Sequence, residues 1–155
     1  MSLPRPARAW MAALALAAVL PACGSGDGGT TPSTPTRTKI GGGTFTVLGT
    51  EEANRNGFTA DVAAGPFVLA NPGTVEITAD WSSPANNLDI FLYDGLCVSE
   101  QARRNECSIA NRTTNTTAKP ERLIVIGVPA GSYSVGFANF GPTEETGTFE
   151  LFLTR

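Results

Sequence analysis

Apolar and polar residues alternate along most of the chain after residue 40, which is the pattern of strands that bury one face. Four runs show it clearly, at 74–80, 88–93, 132–139 and 148–154. A fifth run, 123–128, reads Leu-Ile-Val-Ile-Gly-Val and is apolar on both faces. Since strands buried on both faces read this way, we predict a central strand there.

Weaker strand patterns lie at 44–48, 58–62 and 67–70, and a further strand is expected in the Thr-rich stretch after Cys107. Gly, Pro, Asn and Asp separate the runs, as turns require. No segment shows a convincing helical period, and 98–106 has room for one helical turn at most. Eight or nine short antiparallel strands in roughly 115 residues predict an all-β sandwich or barrel.

Residues 1–22 have the composition of a signal peptide. Arg5 and Arg8 precede an uncharged apolar run from 10 to 20. This run is shorter than the roughly 20 residues that a membrane-spanning helix needs. It leads into Leu-Pro-Ala-Cys, which resembles the bacterial lipobox, where the cysteine, here Cys23, is acylated and becomes the new N-terminus. The alternative is an ordinary secreted protein that is cleaved near Ala22.

Gly, Ser, Thr and Pro dominate the segment that follows Cys23, and no apolar residue occurs between 24 and 39. Such a segment has nothing to bury, so we predict a flexible tether, with an ordered surface arm as the alternative. The predicted organisation is a signal peptide (1–22), a lipidated cysteine with its tether (23–39) and a β domain (40–155). Residue 24 is Gly, where enterobacterial lipoproteins retained at the inner membrane have Asp, so the outer membrane is favoured.

The remaining cysteines form an even pair. If Cys23 carries the lipid, Cys97 and Cys107 are left in an oxidising compartment, where a disulfide is expected. The alternatives are two free thiols or a metal site with these two ligands and no further Cys or His.

The composition excludes several kinds of chemistry. The chain has 155 residues, no histidine and a formal net charge of −3. Histidine bases, His–metal sites and Ser–His or Cys–His pairs are therefore excluded, and the charge argues against a nucleic-acid partner. No Gly-x-Ser-x-Gly motif occurs, because Ser132 and Ser134 lie within a regular strand pattern. We therefore expect a protein that is not an enzyme.

Two stretches resemble the pre-peptidase C-terminal domains of bacterial secreted proteins. Residues 87–94, Asn-Leu-Asp-Ile-Phe-Leu-Tyr-Asp, resemble one strand of that family, and 128–135 with 147–153 resemble its closing strand pair. The resemblance covers about residues 55–154. It implies a jelly-roll-like β-sandwich, a role in secretion, substrate binding or folding, and calcium binding in some members.

Oxygen-bearing side chains around two predicted strands make calcium a candidate ligand. Calcium takes roughly six to eight oxygen ligands, usually several from carboxylates. The sequence has no Asp-x-Asp-x-Asp-Gly loop, and the candidates fall at different strand ends, so we favour solvated acids and turn residues over a metal site. The candidate ligands are Asp80, Asn86, Asn87, Asp89 and Asp94.

Aromatic side chains on the second face of the strands are the other candidate binding residues. If the leucines and isoleucine of 88–93 point inward, its aromatic residues point the other way. They could form a platform for sugar rings or for a partner protein. The alternative, which we favour, is that a loop or the N-terminal strand covers this face. The candidate residues are Trp81, Phe91, Tyr93 and Phe152.

These observations predict a non-catalytic lipoprotein of the bacterial envelope whose sandwich binds a protein or a polysaccharide, with calcium as an optional stabilising ion. The alternatives are a structural or accessory lipoprotein of an envelope complex and, more remotely, a cryptic hydrolase.

Acylation of Cys23 is tested by growing cells that express the full-length chain with radioactive palmitate. We expect label in the wild-type protein and none in Cys23→Ala, because only the thiol accepts the lipid. Equal labelling of the two proteins, or no labelling of either, would contradict the lipid anchor.

Overall fold

In the computed structural model, which describes residues 33–114 and 119–155, the alternating runs pair into two four-stranded antiparallel sheets. Sheet I contains, in spatial order, β1 (Arg37–Val47), β8 (Glu145–Thr154), β3 (Gly73–Trp81) and β6 (Glu121–Val128). Sheet II contains β2 (Asp61–Leu69), β7 (Gly131–Asn139), β4 (Leu88–Asp94) and β5 (Ser108–Arg112).

The order of the strands is that of a jelly roll. Strand β1 pairs with β8, β2 with β7, β3 with β6, and β4 with β5, as if one long hairpin had been rolled up. Pairing of β3 with β8 and of β4 with β7 then completes each sheet. The predicted all-β sandwich is therefore confirmed, with eight antiparallel strands and the two-sheet architecture of jelly rolls.

The main core lies between the two sheets and consists of the residues that the alternation places on one face of each strand. At its centre the rings of Phe45 and Phe137 stack with centroids 4.2 Å apart. Burial of these side chains is the main driving force for folding. The inward-facing buried residues of β3, β4 and β7 are Val75, Ile77, Ala79, Trp81, Leu88, Ile90, Leu92, Tyr133, Val135 and Phe137.

Two short helices complete the domain. Helix α1 (Thr50–Arg55) follows β1 and was not predicted, because six residues with one buried side chain, Ala53, give no periodic signal. Helix α2 (Ser99–Arg103) is the single turn for which 98–106 had room. Its buried Ala102 packs in a second apolar cluster on the far side of sheet II from the main core.

The predicted disulfide is confirmed. Cys97 and Cys107 are bonded, with their Cα atoms 5.8 Å apart. Cys97 is buried in the second cluster, together with Phe91, Tyr93 and Ala102. The bond therefore closes the segment that carries α2 and fastens it over sheet II.

The predicted start of the domain at Ile40 is too late. The folded unit begins at Thr34, and β1 runs from Arg37. The charged residues of 37–39 form part of the strand because their side chains have partners: the Arg37 guanidinium lies 3.3 Å from the centre of the Phe152 ring. The signal peptide and Cys23 lie outside the described residues. Within those residues, no helix is long and apolar enough to cross a membrane.

Two further strand predictions are corrected. The patterns at 58–62 and 67–70 belong to one strand, β2, which continues through Ala63-Ala64-Gly65-Pro66. Proline is tolerated because β2 is an edge strand. The second correction concerns 123–128, which forms most of β6 and lies at the edge of sheet I rather than in its centre.

Removal of the disulfide in Cys97→Ser/Cys107→Ser is expected to lower the free energy of unfolding by roughly 2–3 kcal/mol, because the unfolded chain regains the freedom of a short loop. Urea unfolding of the full-length chain, followed by tryptophan fluorescence, measures the difference. Dithiothreitol should destabilise the wild type to the same extent and leave the double variant unchanged. Identical midpoints for oxidised wild type and variant would contradict this.

Candidate functional site

The structure distributes the five candidate calcium ligands over two sheets and the turn between them. Asp80 is exposed near the end of β3 and accepts a hydrogen bond from the Trp81 N–H at 2.9 Å. Asp94 is exposed at the end of β4, in the other sheet. Across 33–114 and 119–155, no three Asp, Glu, His or Cys side chains come together in a way that could hold a metal ion. Asn86 and Asn87 lie in the turn between β3 and β4, and Asp89 lies on β4.

Asn86 has a structural partner instead. Its amide donates a hydrogen bond to the buried Glu145 at 2.9 Å, and the Ser82 hydroxyl donates another at 2.8 Å. Burial alone would raise the pKa of Glu145, but these hydrogen bonds and those from the Ser82 and Ser83 N–H groups hold it below its usual range. The Glu145 carboxylate thus ties the 82–86 turn to the start of β8.

Most of the predicted aromatic platform is buried. Phe91 and Tyr93 stack with centroids 5.7 Å apart within the second apolar cluster, and burial raises the pKa of Tyr93 to about 12. Trp81 is buried in the main core. Phe152 is partly exposed, but Arg37 lies over its ring. The four residues consequently present no common aromatic surface, and for Phe91 and Tyr93 the cover is the α2 segment rather than the N-terminal strand.

The strand β6 exposes apolar side chains at the edge of sheet I. Ile124 is 44% exposed and Ile126 84% exposed, both on the outward face of the strand. Leu123 is buried on the inward face. The segment 123–128 contains no charged residue and no proline. We call this surface, residues 123–128 with their unpaired backbone edge, the β6 edge.

The geometry at the two ends of the β6 edge limits its length. At its start, Arg122 donates a hydrogen bond to Glu76 at 2.7 Å, and Arg37 donates a second at 3.0 Å. Near its other end, β6 has one residue more than β3 between the paired positions Val125 and Val128, so Ile126 and Gly127 form a bulge in which Gly127 adopts φ 71°. The ion-pair network therefore marks the start of the uncharged stretch, and the bulge interrupts its regular pairing at Ile126.

Two of the other three edge strands are protected against pairing with another chain. Strand β5 is only five residues long. In β2, the Ser99 hydroxyl accepts a hydrogen bond from the Ala64 N–H at 3.0 Å and donates one to the Ala64 carbonyl at 3.4 Å. Pro66, two residues on, has no N–H on that side. Strand β1 has charged side chains at its start but none from 40 to 47, so β1 and β6 both keep an uncharged run, and on β6 this run includes the strongly exposed Ile126.

Sequence reasoning did not identify Ile124 and Ile126 as site residues. The signal was present, because an apolar run on both faces implies that both faces are covered. The run was predicted to be a central strand, but it lies in the edge strand β6, and little packs over its outward face. Ile124 and Ile126 are therefore exposed.

One buried acid lies on the inward face at the start of β6. Glu121 is 1% exposed, and neither of its carboxylate oxygens has a hydrogen-bond partner among the described residues. Burial raises the pKa of Glu121 to about 7, and the negative charge of Asp89 adds to the shift. Glu121 therefore holds a proton in the folded protein at mildly acidic pH.

The chain matches no known protein-family model and no curated protein sequence. Among solved structures it is similar to PliG of Aeromonas hydrophila, a periplasmic inhibitor of g-type lysozyme. The identity is 11% and the TM-score 0.42, over 80% of this chain and 89% of that chain. At these values the likeness assigns no function to this chain.

The raised pKa of Glu121 predicts that stability falls as pH rises. Between the usual pKa of glutamate and about 7, the folded state binds a proton that the unfolded state releases, so this stability is complete below pH 4.5 and is lost through pH 7. We expect a loss of roughly 2–3 kcal/mol between pH 5 and pH 8. Urea unfolding at a series of pH values measures it.

Glu121→Gln should abolish most of this slope while keeping the stability seen at pH 5, since the amide is neutral at every pH. The exposed Glu150→Gln is the matched control and should retain the wild-type slope. A slope that persists in Glu121→Gln would show that another group is responsible.

Proposed function

We propose that this chain is a non-catalytic, lipid-anchored protein of the bacterial envelope, and that its sandwich binds an extended segment of a partner protein at the β6 edge. The observation that carries the proposal is the position of the uncharged apolar run 123–128 at the edge of sheet I, with Ile126 largely exposed. Monomeric proteins normally limit such runs with charge, proline, a bulge or a covering loop, and here Arg122 and the bulge at 126–127 leave 123–125 and the Ile126 side chain open.

The chemistry of the β6 edge fits a polypeptide. A sheet edge offers alternating N–H and C=O groups, which an added strand satisfies along its whole length, while neighbouring side chains give specificity. Ile124 and Ile126 would pack against alternate side chains of the added strand. The Arg122–Glu76 ion pair marks the end of the apolar stretch and so limits the register.

The exposed apolar side chains favour a protein over a polysaccharide. Sugars are recognised largely by flat aromatic faces, whereas branched aliphatic side chains pack well against other polypeptide. Among the described residues, the large apolar side chains that are exposed are aliphatic with one exception, Phe140. They are Ile40, Val68, Leu96, Val98, Ile109, Ile124, Ile126 and Phe140.

The proposed anchor and compartment rest on the first 23 residues and on the disulfide. The uncharged run that ends in Leu-Pro-Ala-Cys supports acylation of Cys23, with Gly24 favouring the outer membrane. The Cys97–Cys107 bond supports an oxidising compartment. The jelly-roll order supports the proposed relationship to pre-peptidase C-terminal domains, for which this topology is expected.

The proposal is tested by placing the photo-crosslinking amino acid p-benzoylphenylalanine at position 126, and separately at 124, of the full-length chain in living cells. We expect each position to form an adduct with the same partner protein, which mass spectrometry identifies. Position 46 is the matched control, because Thr46 is exposed on the outward face of β1 at the opposite edge of the same sheet.

The identified partner, once purified, should bind the full-length chain at least tenfold more weakly when Ile126 is changed to Lys, because a charge would be buried against the added strand. Thr46→Lys should leave the affinity unchanged. The proposal fails if position 46 gives the same adducts, if Ile126→Lys leaves binding intact, or if the adducts contain only a second copy of this chain.

A further inference from the structure

A second site is an apolar crevice on the opposite side of the sandwich from β6. It opens between β1 and β2, which are edge strands of the two facing sheets. The crevice has a volume of about 420 Å³, which is within the range of about 300–1,000 Å³ typical of small-molecule sites. We call it the edge crevice. Its innermost walls are Phe45, Val135, Phe137, Phe149 and Leu151.

The edge crevice exists because the inward positions of both edge strands carry little side chain. On β1 these positions are Gly41 and Gly43, which precede the buried Phe45. On β2 they are Ala63 and Gly65. A Cβ atom built at Gly65 would have no heavy atom within 4 Å, so the space in front of it is empty. The sheets thus pack tightly at their centre and leave a gap at this side.

The lining of the edge crevice is neutral. No Asp, Glu, Lys or Arg side chain is part of it. The rings of Phe137 and Phe149 lie 5.0 Å apart, and Phe137 also stacks on Phe45, so the innermost surface is continuous hydrocarbon. An ion or a strongly polar ligand would lose its hydration there without gaining a partner.

The backbone on the β2 side of the edge crevice cannot pair with an incoming strand. The outward N–H and C=O of Ala64 are already bonded to Ser99, and Pro66 lacks an N–H. A peptide inserted here would bury polar groups without partners, which is costly. A hydrocarbon has no such groups to satisfy.

We propose that the edge crevice binds the alkyl chain of a lipid or fatty acid. The edge crevice has apolar inner walls and no charged side chain in its lining, so it suits an uncharged hydrocarbon chain whose head group remains outside near Ser99. Entry would bury alkyl carbon against phenylalanine and leucine, which is the favourable step. This proposal is independent of the β6 edge, because the two sites lie on different strands and different sides of the sandwich.

The test uses the purified full-length chain with Cys23→Ala, so that no acyl group attached there competes. Saturated fatty acids and the matching alcohols, from 8 to 18 carbons, are titrated by isothermal calorimetry. We expect saturable 1:1 binding by both series, with affinity rising with chain length until the slot is filled. The wild-type acylated chain is the second arm, and weaker binding there would identify its own acyl group as the occupant of the same site.

Gly65→Leu should reduce the affinity at least tenfold and raise the melting temperature, since the new side chain fills empty space in the core. Gly65→Ala should lower the affinity and raise the melting temperature by smaller amounts. It replaces Gly65→Leu in the test if the larger side chain prevents folding. The control is Val68→Leu, which adds a methylene on the outward face of the same strand. The proposal is overturned if no alkyl ligand binds saturably, if Gly65→Leu and Gly65→Ala bind as the wild type does, or if naphthalene binds more tightly than every alkyl ligand.

Discussion

Backbone hydrogen bonding at the edges of the two sheets is the constraint on which the other features of this domain depend. A jelly roll of two open four-stranded sheets has four edge strands, and each has a row of N–H and C=O groups without a ladder partner. Two of these edges are closed to pairing within the described part of the chain, because β5 is short and because Ser99 and Pro66 block β2. Strands β1 and β6 each keep a run without charge or proline, and on β6 this run includes the strongly exposed Ile126.

The same constraint explains why the two proposed sites take different ligands. At β6 the backbone groups are unpaired and the exposed side chains are branched aliphatics, so the surface can accept another strand. At the opposite side, Ala64 is already satisfied by Ser99, and the space lies behind the backbone, in the core. The first site therefore offers unpaired backbone groups, and the second offers inner walls of phenylalanine, valine and leucine.

Electrostatics in this domain serve mainly to hold the fold. Glu76 joins Arg122 of β6 and Arg37 of β1 across the outward face of sheet I. Hydrogen bonds from these two arginines hold the pKa of the Glu76 carboxyl below its usual range, although burial acts in the opposite direction. Glu145 ties a turn to a strand through four hydrogen-bond donors. Glu121 is the exception, since its buried carboxylate has no hydrogen-bond partner among the described residues. Its raised pKa makes the stability of the domain depend on pH.

Local patterns predicted much of the fold. The alternation in 74–80, 88–93, 132–139 and 148–154 identified four strands and the face that each one buries, because period two follows directly from strand geometry. The cysteine count identified the disulfide. Helix α1 and the continuity of β2 through Gly65-Pro66 were missed, since both depend on what packs against the segment rather than on its own residues.

The candidate site could not be predicted in the same way. The aromatic and oxygen-bearing side chains that stood out in the sequence are mostly core and turn residues. The α2 segment covers Phe91 and Tyr93, and the Asn86 amide is hydrogen-bonded to Glu145. The isoleucines that matter at the β6 edge looked like core residues. Whether an apolar side chain is covered depends on the neighbours of its strand, which are far away along the chain.

Local residue patterns are enough to specify the class of the domain, the inward face of most strands and the pair of cysteines, because each follows from residues that are close together or few in number. Which strands lie at the edges, and therefore where unpaired backbone and the edge crevice occur, follows from the packing of the whole domain. Strand order is set by pairings between distant segments, such as β1 with β8, and no local pattern encodes them.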